Sequence, residues 1–211
     1  MKKLRVVLPA VMLLFSMLVL LASCGGGATI ERGAWQGGVY TNESLGLTFT
    51  LPQGWDAASE AELAELAEIT RDLLGESFAD AWENETLESF TEMQAVNPNT
   101  GTNVNIVITR THGRVPSLER LAREAADGLV EELEEVDLIN ITTPVVDSSA
   151  TRIGANDWWG YSYEMDFFGM MTMYGHQFVR VANGASQVIT ITRTEASTMS
   201  VQDILAMFDT P

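Results

Sequence analysis

Few side chains in this 211-residue chain could carry out bond-breaking chemistry: two histidines, His112 and His176, and a single cysteine, Cys24. A serine or cysteine nucleophile needs a base beside it, and no Gly-x-Ser-x-Gly elbow or Ser-x-x-Lys pair supplies that arrangement. Walker loops and Gly-x-Gly-x-x-Gly turns, which cradle phosphates on backbone N–H groups, are missing as well. Zinc held by histidine or cysteine pairs is excluded by count. Acids are plentiful, with Glu131, Glu132, Glu134, Glu135 and Asp137 gathered near the end of one amphipathic stretch. They lack the alternating spacing and central glycine of a calcium loop, so they read as a solvated helix face. No carboxylate pair stands in an apolar setting that would raise one pKa for glycoside hydrolysis. The expectation is therefore no catalytic residues, no metal and no cofactor.

One stretch is unusual in composition. From Trp158 to His176 the chain carries Trp158, Trp159, Tyr161, Tyr163, Met165, Phe167, Phe168, Met170, Met171, Met173 and Tyr174. On a strand, Trp159, Tyr161, Tyr163, Met165 and Phe167 share one face and belong to the core, while Trp158, Gly160, Ser162, Glu164 and Asp166 share the other. Methionine thioethers with an imidazole would suit monovalent copper. Alternation, however, separates Met171 and Met173 from Met170 and His176, and methionine is a common core filler. The edge around Trp158, Tyr174 and His176 is the candidate binding surface, acting through shape and apolar area.

The cysteine has a different setting. Lys2, Lys3 and Arg5 precede an apolar run from Leu8 to Leu21, which ends in Leu21-Ala22-Ser23-Cys24 followed by three glycines. This is the grammar of a signal peptide. Leu-Ala-Ser-Cys resembles the lipobox of bacterial lipoproteins, which implies cleavage before Cys24, lipidation of its thiol and anchoring to the bilayer. An uncleaved anchor would be near the lower length limit for a spanning helix and has no need of that ending. Residues 1–23 are thus expected to be the signal peptide and 24–38 the lipidated cysteine with a flexible Gly-rich tether. Loss of the leader removes three basic residues and no acid, so the formal charge of −17 becomes −20. A field of that sign repels phosphate backbones and argues against nucleic acid as a partner.

The remaining residues, 39–211, suit one domain. Val39 to Leu51 reads as a hairpin closed by Pro52-Gln53-Gly54-Trp55, and Ser59 with Glu62 forms a capping box for a first helix. Phe78 to Leu87 reads as a further short helix carrying Trp82. Phe90–Val96 and Val104–Thr111 make a second hairpin, in which Val104, Ile106 and Ile108 alternate with Asn105, Val107 and Thr109. Pro116 and Ser117 open a long second helix, four strands follow over about 139–193, and Ser200 with Asp203 caps a last helix. Ala182-Asn183-Gly184-Ala185 is a type I′ hairpin signal. Tight turns make such strands antiparallel, and amphipathic helices need a sheet to cover.

Tyr40-Thr41-Asn42, Gly46-Leu47-Thr48-Phe49 and Leu51-Pro52-Gln53-Gly54-Trp55 before a helix resemble the opening of the PsbP-like fold. The resemblance implies an α+β sandwich, with a central, mainly antiparallel sheet of about six to seven strands and helices on both faces. It also implies a binding or assembly role without catalysis. The functional expectation is a membrane-tethered extracytoplasmic module of the cell envelope, with a small ligand or envelope protein as partner. It would be anchored at the outer face of the cytoplasmic membrane, or at the outer membrane of a Gram-negative cell. The alternative is an extracytoplasmic hydrolase whose site is assembled from scattered acidic residues.

Overall fold

The computed structural model describes residues 31–65, 89–110, 116–134, 139–167 and 169–211. Cys24, Trp82, His112, Glu135 and Asp137 lie outside the described residues. The elements are β1 (Ala34–Gln36), β2 (Val39–Asn42), β3 (Leu47–Thr50), β4 (Asp56–Ala57), helix α1 over 60–65, β5 (Ser89–Val96), β6 (Asn103–Arg110) and α2 (Leu118–Glu134). They continue with β7 (Ile139–Ile141), β8 (Val145–Val146), β9 (Thr151–Ile153), β10 (Asn156–Phe167), β11 (Met171–Ala182), β12 (Ala185–Thr194), α3 (Val201–Leu205) and β13 (Phe208–Asp209). Every strand pairing is antiparallel, so the architecture is α+β.

Local sequence accounts for the joints. The Ser59 hydroxyl receives the Glu62 backbone N–H while the Glu62 carboxylate accepts from Ser59, and Ser200 and Asp203 repeat this box at α3. Asn183 and Gly184 both take positive φ, at 54° and 72°, which closes the β11–β12 hairpin in the primed turn that matches strand twist. Pro144 interrupts the expected strand over 139–146, leaving two short pieces, β7 and β8, that both pair with β10.

The sheet is larger than expected, and the layer on one of its faces is not helical. A nine-stranded sheet runs β4-β5-β6-β12-β11-β10-β7, with β8 and β9 also on β10. A separate four-stranded sheet, β1-β2-β3-β13, covers one face, where Tyr40, Leu45, Leu47 and Phe49 pack against Ile106, Trp158, Phe178 and Ile189. The short α3 adds Ile204 and Leu205 to the same core. On the opposite face, α2 lays Ala122, Ala125, Ala126, Leu129 and Leu133 onto Tyr161, Tyr163, Met165, Met173 and Val179. Tyr163 also lies across Gly175, its cross-strand neighbour, where a Cβ would collide with the ring. The strand β1 lies within the stretch whose composition suggested a tether, and its pairing with β2 makes residues 34–36 part of the sheet.

A bulge between Thr91 and Met93 turns Glu92 out of the ladder and toward the small sheet. There the buried Glu92 carboxylate accepts from the Tyr40 hydroxyl, the Asn42 amide and the Gly33 backbone N–H. Burial first, then the Glu92 charge, pushes the Tyr40 pKa well above the ordinary phenol value.

Candidate functional site

The small sheet and α3 cover only part of the face on which Trp158, Gly160, Ser162 and Glu164 of β10 stand. Cross-strand register sets Ser162 opposite His176 and Glu164 opposite Tyr174, and it places Arg193 of β12 beside Tyr174. Past the edge of the apolar core these side chains line an open groove of about 280 Å³, walled by Thr142 and Val145 on one side and Val201 of α3 on the other.

At its floor the His176 ring stacks on Phe178, with centroids 4.4 Å apart and planes 9° from parallel. Its Nε2 lies 3.2 Å from Asp147 Oδ2. Asp147 is itself fixed by its backbone, whose N–H donates to the Gly160 carbonyl and whose carbonyl accepts from the Trp159 indole N–H, both at 2.9 Å. Gly160 makes room for the pair: a Cβ there would overlap the Asp147 carboxylate and come within 2.8 Å of His176 Nε2. A glycine inside a strand commonly marks such a close approach.

Burial lowers the His176 pKa below the ordinary imidazole value, and the Asp147 charge and hydrogen bond oppose that shift without cancelling it. A neutral imidazole whose Nε2–H donates to Asp147 presents Nδ1 as an acceptor. The Arg193 guanidinium donates to the Met199 carbonyl at 3.2 Å, while its buried Nε has no partner among the described residues. The groove therefore offers a ring acceptor, a tyrosine hydroxyl and a guanidinium. Ser162 faces His176 across the strand pair, but no hydrogen bond joins them among the described residues. No three His, Cys, Asp or Glu side chains gather into a metal site among the described residues.

Of the three residues named from sequence, two line the groove and one does not. Tyr174 and His176 are half-buried in it, whereas Trp158 is 0 % exposed. The alternation that placed Trp158 on this face holds, but the small sheet covers that end, and the Arg180 guanidinium sits 5.6 Å from the ring centroid. The copper reading is not assembled: Met173 is buried on the α2 face and Met170 is exposed in a turn, both apart from His176. Asp147, Gly160 and Arg193 were missed. Gly160 between aromatic residues was the one local signal available for them.

No family model matches the chain, and no curated protein matches it. Among solved structures, it is similar to LpqN, described as involved in cell envelope biogenesis of Mycobacterium tuberculosis, with 16% identity and a TM-score of 0.44 over 78% of this chain and 83% of LpqN. A likeness to the cyanobacterial PsbP of Synechocystis sp. PCC 6803 has 12% identity and a TM-score of 0.43, covering 90% of this chain and 99% of that one. A protein from Bacteroides thetaiotaomicron matches with 14% identity and a TM-score of 0.39, over 87% of this chain and 49% of its own. At this level they identify no family.

Proposed function

We propose that this chain is an extracytoplasmic binding or assembly module with a PsbP-like domain, tethered to the membrane by lipid on Cys24 and engaging its ligand or partner at the Tyr174–His176 groove. The observation that carries this reading is the incomplete cover of the sheet face. His176, held by Asp147 behind it, stands with Tyr174 and Arg193 in an open groove, where the rest of that face is sealed by a second sheet. Few convergent polar groups in a concave, partly apolar setting are the general form of a binding site. The Leu-Ala-Ser-Cys ending and the Gly-rich stretch after it support the tether, and the Pro-x-Gly-Trp turn beneath an antiparallel sheet supports the fold assignment.

The hydrolase alternative needs two polar side chains in reacting geometry. Asp147 is engaged with His176, and Glu164, which lines the groove, is exposed. The test is a photo-crosslinking residue at Thr143, on the groove rim, compared with one at exposed Asp157, in a bacterium that lipidates the chain. A discrete adduct from position 143 alone, lost on Tyr174→Ala with His176→Ala, is the expected outcome. Equal adducts from both positions, or none from Thr143, would contradict the proposal.

A further inference from the structure

Across three neighbouring strands of the open groove, the register lines up an acid, a phenol and a base. Glu164 of β10 stands opposite Tyr174 of β11, and Tyr174 stands opposite Arg193 of β12. All three line the groove. Adjacent strands lie about 4.8 Å apart, so the backbones of Glu164 and Arg193 are about 10 Å apart, with that of Tyr174 between them. Among the described residues no ion pair joins the acid to the base. Both are held in place from outside the row. The Glu164 N–H donates to the Thr142 hydroxyl at 3.0 Å, and its carbonyl accepts from the Thr142 N–H at 2.9 Å. The Arg193 guanidinium is tied to the Met199 carbonyl, just before α3.

Glu164 and Arg193 are the charged side chains of the groove lining, and their charges sum to zero. His176 adds none at neutral pH, because burial lowers its pKa below the ordinary imidazole value. The chain around them carries a formal charge of −17, a field that repels a simple anion from Arg193. A simple cation would meet Glu164 and leave the guanidinium facing it. A molecule with one cationic and one anionic end, neutral as a whole, meets both groups and is not repelled by the field. Each end then makes a charge-assisted hydrogen bond, roughly twice as strong as a neutral one. The size of the site limits the molecule. A groove of about 280 Å³ lies below the range of about 300–1,000 Å³ that holds drug-sized ligands. In an amino acid the two charged groups share one carbon, and a dipeptide adds one Cα step of about 3.8 Å. Either fits between side chains rooted about 10 Å apart.

We infer that the groove binds a small zwitterion, an amino acid or a dipeptide, with its ammonium group on Glu164 and its carboxylate on Arg193. The inference rests on the groove being the binding site and adds the chemical class of what binds there.

The test is calorimetric titration of the full chain with glycine, L-alanine and L-alanyl-L-alanine, followed by the N-acetyl and the C-terminal amide forms of whichever binds. At least one zwitterion saturates the chain one to one, and each capped form, which lacks one charge, binds roughly tenfold or more weakly. Arg193→Gln closes the gap between the zwitterion and its amide, and Glu164→Gln closes the gap between the zwitterion and its N-acetyl form. The Glu164 side chain is exposed, so the second variant reads the site even where the first unfolds. The inference is overturned if none of the three zwitterions binds, if the capped forms bind as well as the free ones, or if Glu164→Gln leaves the N-acetyl gap unchanged. The ligand class and the groove fail separately. A discrete crosslink from position 143 without zwitterion binding refutes the class alone, whereas absence of that crosslink refutes the groove.

Discussion

Replacing Glu92 by alanine tests how the two sheets are joined. Its buried carboxylate is the shared acceptor for the Tyr40 hydroxyl, the Asn42 amide and the Gly33 N–H. Hydrogen bonds to a charged group contribute about 1.5–3 kcal/mol each, and the orphaned partners cost about 1–3 kcal/mol apiece when buried. Tyr40 and Asn42, at 1% and 2% exposure, have no route to water without movement. Against this, alanine removes the burial cost of the carboxylate, whose Oε2 has no partner among the described residues. The net loss is about 3–5 kcal/mol, the usual result of removing one partner from a buried charged set. Glu92→Gln retains a carbonyl acceptor without the charge and costs less, about 1–3 kcal/mol. Urea unfolding followed by tryptophan fluorescence gives both values. An alanine variant within about 1 kcal/mol of wild type, or a glutamine variant as damaging as alanine, would refute the reasoning.

Trp55, buried at the Pro-x-Gly-Trp turn, should cost about 3–5 kcal/mol when replaced by alanine, and an unchanged denaturant midpoint would show that the indole contributes no packing. His176 has a lowered pKa, so its folded form favours the neutral ring. Its contribution to stability is present above the ordinary imidazole pKa of about 6.5 and is lost as pH falls through the folded value. The midpoint should therefore fall as pH drops below about 6.5, and His176→Gln should flatten that slope; identical slopes in the two proteins would contradict the assignment. Cys24→Ala should abolish lipid labelling and leader cleavage, measured by mass spectrometry of membrane-purified protein, and an unmodified Cys24 in the wild-type chain would contradict the anchor.

Local chemistry was legible wherever one short segment decides the outcome. Ser59 with Glu62, Ser200 with Asp203, and Asn183-Gly184 each produce the cap or turn their types demand. Alternation also assigned faces correctly on β10 and β11. It does not tell what lies over a face. Trp158 read as an open edge because the covering sheet comes from residues more than a hundred positions earlier. Asn105 and Thr109 alternate with Val104, Ile106 and Ile108 in the second hairpin, yet both sides are buried, which alternation alone does not predict. Asp147 follows β8 and His176 lies on β11, and their approach depends on the β8–β10 and β10–β11 registers together with the space left by Gly160.

The central claim, that this domain binds at the Tyr174–His176 groove, is tested most directly by ¹⁵N NMR titration of the full chain with acetate, imidazole, guanidinium and glycerol as small probes of ligand chemistry. The account predicts saturable shifts clustered at Ser162, Gly175, His176 and Arg193 for at least one probe, weakened by His176→Ala. Shifts scattered over the surface, or a cluster elsewhere with the groove silent, would contradict it.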